Sequence, residues 1–310
     1  MTVGVAVALY NGERFIEKQL DTIRLQSRKA DRVVLCDDGS KDNTVAAVSA
    51  YIDKYSLHDN WSLICNPQNL GYIKNFYGAI GLCDTDIVFL CDQDDVWKED
   101  KIEKMLQIME EQPQINLLSC RYGIVDANGQ QINSVVDRKA NESGSICAVC
   151  VEDIMTAYRW PGMVMCIRKD FFNEIAACIY NCDVAHDFMF AVLSADKGSF
   201  YEYDYIGAFH RRHDNNTARE EHRISKLLNM QRKLKDIAVT QTLWNNFLSA
   251  NLPVDPTTRK TVARRVDLLN MRKEALEGKN LIGVLKLYFG NWKLLRLNSF
   301  VCDVWLALFG

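Results

Sequence analysis

The sequence predicts an α/β fold: a doubly wound, mostly parallel sheet flanked by helices, followed by a C-terminal helical extension. Three observations carry this. Over the first hundred residues, short apolar runs alternate with segments of helical period, the pattern of strands joined by crossover helices. Most of those runs end in a polar, turn-forming cluster. Beyond Arg223 the strand-like runs give way to long helical patterns with a basic charge.

The first run, Val3 to Leu9, is broken by Asn11 and Gly12, after which Phe15, Ile16, Leu20 and Ile23 recur at helical spacing. Arg32 to Cys36 reads as the second strand. The turn "DDGSKDNT" follows, with Asp42 or Asn43 as the expected helix cap, and the next helix runs to about Tyr55. Trp61 to Cys65 is the third strand, "NPQNLG" a turn, and Tyr72 to Gly81 a helix. The fourth strand, Asp86 to Cys91, ends on "DQDD". In such sheets ligands bind beyond the carboxyl ends of the strands. Three clusters belong there: Tyr10-Asn11-Gly12, Asp37-Asp38-Gly39-Ser40 and Asp92-Gln93-Asp94-Asp95. Any one reads as a solvated turn; three on one sheet edge read as a site.

The 310 residues, 48% hydrophobic and 25% charged, describe an ordinary folded protein. The net charge of −3 hides an asymmetry. Residues 1–222 carry 22 Lys and Arg against 34 Asp and Glu, a net −12, whereas residues 223–310 carry 15 against 6, a net +9. Two regions with different partners are expected. An acidic first domain opposes nucleic acid as the partner of the basic tail. "VGVAVAL", which begins at Val3, is preceded by no basic leader, and no apolar stretch approaches the length that spans a bilayer. A cytoplasmic location is expected, peripheral to the inner face of the plasma membrane where the tail meets lipid. The 11 scattered cysteines fit a reducing compartment. Cys147 with Cys150 and Cys178 with Cys182 form two weak half-motifs for zinc.

Three carboxylates, Asp92, Asp94 and Asp95, lie within four positions. Like charges that close raise one another's pKa unless a cation sits among them. Hard carboxylate oxygens suit Mg²⁺ or Mn²⁺, ions that keep waters and bridge substrate phosphates. A nicotinamide fingerprint and a P-loop are both excluded, because neither glycine pattern occurs.

The segments "ALYNGERFIEKQL", "VVLCDDGSKDNT", "NLGYIKNF" and "FLCDQDDVW" together resemble a family 2 glycosyltransferase of the GT-A (Rossmann-like) fold. "DQDD" followed by Trp97 is similar to the rhamnosyltransferase-like branch. The resemblance extends through "WPGMVMCIRKDFF" (160–172), an acceptor-side segment, "AHDFMF" (185–190), which holds the family's catalytic base, and "FHRRHDNNT" (209–217), where His210 replaces a usual tyrosine. It implies a division into residues 1–222, with a nucleotide-sugar half over 1–105 and an acceptor half over 106–222, and an extension over 223–310. Asp38, with Asp37, is expected on the pyrimidine base, with Tyr10, Asn11 and Glu13 near base or ribose. Asn69, Gly71 and Lys74 complete the donor set. Asp92 is expected on the ribose or a metal-bound water, or on the metal itself, and Asp94 on the metal, with His213 as a further ligand. Arg211 or Arg212 is expected on the diphosphate, since a guanidinium grips phosphate bidentately. Asp95 is left between orienting the loop and capping the segment that leads to Lys101, and Trp97 reads as packing. Asp187 is the expected general base, although the first turn of a helix also favours an acid, and the neighbouring His186 is an alternative.

The implied reaction is inverting transfer from a UDP- or dTDP-sugar, dTDP-rhamnose among them, to a glycan or lipid-linked acceptor in cell-surface polysaccharide synthesis. A sugar nucleotidyltransferase would want a glycine-rich basic loop after strand one, and "YNGERF" supplies only one glycine and one arginine. A glycosidase and a non-catalytic nucleotide-sugar binder are the remaining alternatives. In the extension, Leu227, Leu228, Leu234 and Ile237 are spaced for one helix face, "NLPVDPTT" marks a break, and "RKTVARRVDLLNMRK" is basic and amphipathic. The aromatic end, with Lys286, Lys293 and Arg296 interleaved, reads either as an interfacial helix pair at an anionic leaflet or as a helical cap.

Overall fold

The computed structural model describes residues 1–132, 142–156, 158–213, 228–289, 291, 294–295 and 297–310. The chain divides into two compact units: Met1–Val149 with Trp160–Asn181 and Ala185–Asn216, and Cys150–Arg159 with Cys182–Val184 and Thr217–Gly310.

The first unit begins with β1 (Val3–Leu9), α1 (Ile16–Arg24), β2 (Arg32–Asp37), α2 (Thr44–Tyr55), β3 (Trp61–Cys65), α3 (Tyr72–Leu82) and β4 (Ile87–Cys91). It continues through β5 (Val96–Trp97), α4 (Lys101–Glu111), β6 (Leu117–Val125) and β7 (Ile146–Ala148), where the second unit contributes α5 (Val151–Thr156). A 3₁₀ turn (Gly162–Val164), β8 (Met165–Arg168), α6 (Lys169–Ile179), α7 (His186–Asp196) and β9 (Phe200–Arg211) complete it. The sheet order is β3-β2-β1-β4-β8-β6-β9-β5, with β7 on β9. β1 pairs in parallel with both β2 and β4, and β2 with β3. All five residues of β4 are buried, as expected of a parallel strand covered on both faces. α1 buries Ile16, Gln19, Leu20 and Ile23, the 3.6-residue stripe read from the sequence.

The register aligns Leu9 with Asp37 and Val7 with Cys91, so the three polar clusters share one sheet edge. After the acidic cluster, β5 is pinned antiparallel to β9, Val96 opposite Phe209 and Trp97 opposite Ala208. That pairing brings the end of β9 beside the acids. Three boundaries differ from the sequence reading: β2 runs on to Asp37, α3 to Leu82, and β4 begins at Ile87. Asn43 sits at the cap of α2 without a side-chain cap bond, while Asp42 Oδ1 accepts from Thr44 N at 3.0 Å.

In the second unit α8 (Met230–Ser249), α9 (Pro256–Glu277), α10 (Leu281–Tyr288) and α11 (Leu297–Phe309) follow in order. Asn229, Asp255 and Asn280 cap three of them through backbone N–H groups. Asp255 precedes a proline in the first turn of α9, where the missing N–H costs nothing. Ile237 is buried, as its spacing implies; Leu227 lies outside the described residues. At the centre Asp303, wholly buried, takes a bidentate pair from Arg272 at 2.6 and 2.9 Å and a bond from the Tyr288 hydroxyl at 2.7 Å. No helix among the described residues is long and apolar enough to cross a membrane.

Candidate active site

The loop after β2 is built by its own acids. Asp37 accepts from Gly39 N at 3.0 Å, from Ser40 N at 2.9 Å and from the Ser40 hydroxyl. Asp38, 2% exposed, accepts from Leu70 N, Gly71 N and Asn66 Nδ2 at 2.8, 2.8 and 3.0 Å. Asn69 donates to Asp38 O at 2.9 Å, and Gly71 adopts a φ of 83° that disfavours a side chain. Asp38, expected on a pyrimidine base, thus holds the Asn66–Gly71 loop against the end of β2, and Asp37 closes its own turn. Lys74 is exposed and lies over the Tyr180 ring at 5.8 Å.

The loop after β1 is held from two sides. Asn11, at a φ of 51°, accepts from Lys41 N at 2.7 Å and donates its own N–H to Ser40 Oγ at 2.9 Å. Glu13 turns to Asn43, accepting from its N and Nδ2 at 2.9 and 3.0 Å, which holds its carboxyl below the usual carboxylate range. It therefore serves the start of α2, whereas Tyr10 presents an exposed ring. Gln93 donates to Tyr10 O and accepts from Tyr10 N, both at 2.9 Å. A Cβ on Gly12 would meet the Gln93 amide at 2.2 Å, so any other residue there would displace that side chain.

Among the described residues the acids after β4 have fewer such partners. Burial, then Asp94, then Asp187 push the half-buried Asp92 up to about 7. Burial, then Asp92, then Asp94 push Asp95 well above its ordinary value; its Oδ1 accepts from Arg211 N at 3.1 Å and its buried Oδ2 has no hydrogen-bond partner among the described residues. Asp94 Oδ2 lies 2.8 Å from His213 Nε2, whose ring rests on Phe15 at 4.6 Å. Arg211 departs from expectation. It is buried, its Nε donates to Asp94 O at 2.8 Å and its Nη1 to Ala127 O at 3.2 Å. It braces the acidic loop from inside. Arg212 follows β9 with a half-buried side chain and its N–H on Val125 O.

Asp187 occupies the first turn of α7, and its charge is among those felt by Asp92. His186 is 5% exposed, stacks on Phe76 at 4.1 Å and has no hydrogen-bond partner for either ring nitrogen. Burial lowers its pKa, so it stays neutral. Among the described residues no three His, Cys, Asp or Glu side chains form a ready metal cage. By atom type the set still suits Mg²⁺ or Mn²⁺: Asp92, Asp94 and His213 would supply hard or borderline atoms.

The family model for glycosyl transferase family 2 matches residues 4–163. The chain belongs to this family. It is 26% identical over 309 residues to the dTDP-rhamnosyl transferase RfbG of Shigella flexneri, covering 94% of this chain and 95% of that protein. An uncharacterized glycosyltransferase of Nostoc sp. is 21% identical over 178 residues, and the match spans only 53% of its length. Among solved structures, S. aureus TarS with UDP has a TM-score of 0.59 at 13% identity, covering 98% of this chain and 90% of that one. The Pyrobaculum calidifontis mannosyltransferase PcManGT with GDP-Man and Mn²⁺ has a TM-score of 0.57 at 16% identity, covering 99% and 86%. The fold is GT-A and the chain is a glycosyltransferase, which sets aside the nucleotidyltransferase and non-catalytic readings.

Two residues of this family 2 chain escape a reading by motif. Gln93 lies inside "DQDD", where the acids draw the eye. Lys101 is wholly buried; its Nζ donates to Met163 O at 2.6 Å and sits 3.4 Å from the Trp97 ring centroid. It is a built-in cation whose field lowers the pKa values of both Asp92 and Asp95. Its lysine-after-tryptophan spacing was visible; its burial was not.

Proposed function

We propose that this family 2 glycosyltransferase is inverting and metal-dependent, and transfers the sugar of a dTDP- or UDP-sugar, dTDP-rhamnose foremost, to a glycan or lipid-linked acceptor at the inner face of the plasma membrane. The observation that carries the reading is the acid cluster after β4, short of hydrogen-bond donors and with Asp92 pushed up to about 7. A divalent ion held there would neutralise the charge of the leaving diphosphate. Residues 1–105 form the donor half, 106–222 the acceptor half and 223–310 the basic extension. Asp94, His213 and Asp92 would hold the ion, while Tyr10, Asn11 and Lys74 flank the nucleotide sugar. Asp187 accepts the proton of the acceptor hydroxyl as that oxygen bonds to the anomeric carbon and the carbon–diphosphate bond breaks on the opposite face. The rhamnose donor is supported by the name of the Shigella relative, matched along nearly its whole length. A role for the ion is supported by Mn²⁺ in the mannosyltransferase structure.

Thermal shift with UDP- and dTDP-sugars, with and without Mn²⁺, tests this. A donor at a hundredfold excess over Kd stabilises by about 2.7 kcal/mol, and dTDP-rhamnose with Mn²⁺ should give the largest shift. Equal shifts with and without metal would overturn the metal dependence, and a larger shift from a UDP-sugar would reassign the donor.

A further inference from the structure

α10 and α11 turn large apolar side chains outward. On α10 and the residue after it, Ile282, Leu285 and Phe289 are 65%, 45% and 90% exposed, while Val284, Leu287 and Tyr288 are buried. On α11, Val301, Trp305 and Phe309 are 63%, 38% and 70% exposed, recurring at four-residue steps on one face. Its only charged residue, Asp303, points inward to Arg272. The pattern of a water-facing helix is inverted here: the charge is satisfied inside and the apolar stripe faces out. Apolar stripes of this kind mark an interaction surface.

The stripes lie within a region that carries 15 Lys and Arg against 6 Asp and Glu, and exposed Lys279 and Lys286 flank or share the face of α10. Lys293 and Arg296 lie outside the described residues. A second copy of this chain would bring the same positive charge to the interface, and like charges there oppose association. An anionic leaflet brings the complementary charge, takes up aliphatic and Phe side chains, and favours an interfacial tryptophan. We infer that α10 and α11 form a docking face for anionic phospholipid, lying in the plane of the membrane surface. The inference rests on the lipid-linked acceptor only for its purpose; the face itself stands on the exposures and the charge.

Cosedimentation with phosphatidylcholine vesicles, with and without phosphatidylglycerol, tests it on the full chain. Binding should require phosphatidylglycerol, appear at low salt and fade as salt rises. The triple variant Ile282→Ser/Phe289→Ser/Phe309→Ser, altered only at exposed positions, should bind about a hundredfold more weakly or worse, because three large apolar side chains no longer enter the leaflet. Lys279→Gln/Lys286→Gln should weaken binding about twentyfold, at about fivefold per lysine. A wild-type protein that ignores these vesicles at low salt overturns the inference. So does a dimer in sedimentation velocity that the serine variant dissolves while vesicle binding is unchanged. Nucleotide-sugar hydrolysis in vesicle-free solution is read alongside: its loss in the wild type speaks against the transferase reading, and its persistence with vesicle binding absent speaks against the docking face alone.

Discussion

The acids at the ends of β2 and β4 are separated by one strand, β1, and the chain treats them in opposite ways. Asp37 and Asp38 together accept from Gly39, Ser40, Asn66, Leu70 and Gly71. Asp95 takes the Arg211 N–H on one oxygen and leaves the other orphaned, and Asp92 is pushed up to about 7. Two acidic turns that look alike as text therefore differ in kind. A carboxylate supplied with N–H donors is part of the framework; one short of them remains open to a ligand.

The contrast breaks most sharply at Asp94. Asp94→Asn should lower transfer by about 10³-fold or more and abolish metal-dependent donor binding, because an amide is a poorer ligand for a hard ion. Circular dichroism should show the fold intact, and retained metal-dependent binding would remove Asp94 from the metal site. Asp187→Asn should cut turnover by about 10²–10⁴-fold with donor affinity nearly unchanged. Kinetics and donor titration check this together, and an equal loss of donor affinity would place Asp187 in the donor pocket instead. Asp38→Ala should act on stability, since it strands the N–H groups of Leu70 and Gly71. The expected loss is about 2–3 kcal/mol in urea unfolding, with the metal dependence of the remaining activity preserved. A stable Asp38→Ala protein that no longer binds donor would return Asp38 to the nucleotide.

The smallest effect concerns pH. Asp92 is raised from its unfolded value of 3.8 to about 7 in the metal-free chain. Between those values the folded state holds a proton that the unfolded state has lost, so the metal-free protein loses stability as pH rises through this window. Metal competes with that proton. The rise in Tm on adding Mn²⁺ should therefore be about 2–4 °C larger at pH 8 than at pH 6. A pH-independent rise would separate Asp92 from the ion.

The parallel half of the sheet was legible because its strands write themselves as apolar runs: the sequence limits of the buried β1 and of the half-exposed edge strand β3 agree with the structure. That the acid clusters share one edge was legible too, since parallel pairing puts strand ends together. What pattern could not supply is which atoms each polar group meets. Asp38 and Arg211 have the residue types of ligands, yet long-range bonds to Gly71 and Asp94 give them interior tasks. Glu13 is similar, since its partner Asn43 lies across the sheet edge on another loop. Lys101 was hidden because lysine is usually exposed, and only the packing of β4, β5 and the 3₁₀ turn reveals the space it fills.

Gln93 carries a last consequence. Its side-chain amide offers one N–H and one C=O to the N–H and C=O of Tyr10, which is what a peptide group offers its neighbour in a ladder. The β1–β4 pairing, whose register stops at Val7 and Cys91, thereby gains one more rung made from a side chain. Asparagine is too short to form it and glutamate lacks the donor. The loop after β1 inherits the stiffness of the sheet, and that edge is ordered before any ligand arrives.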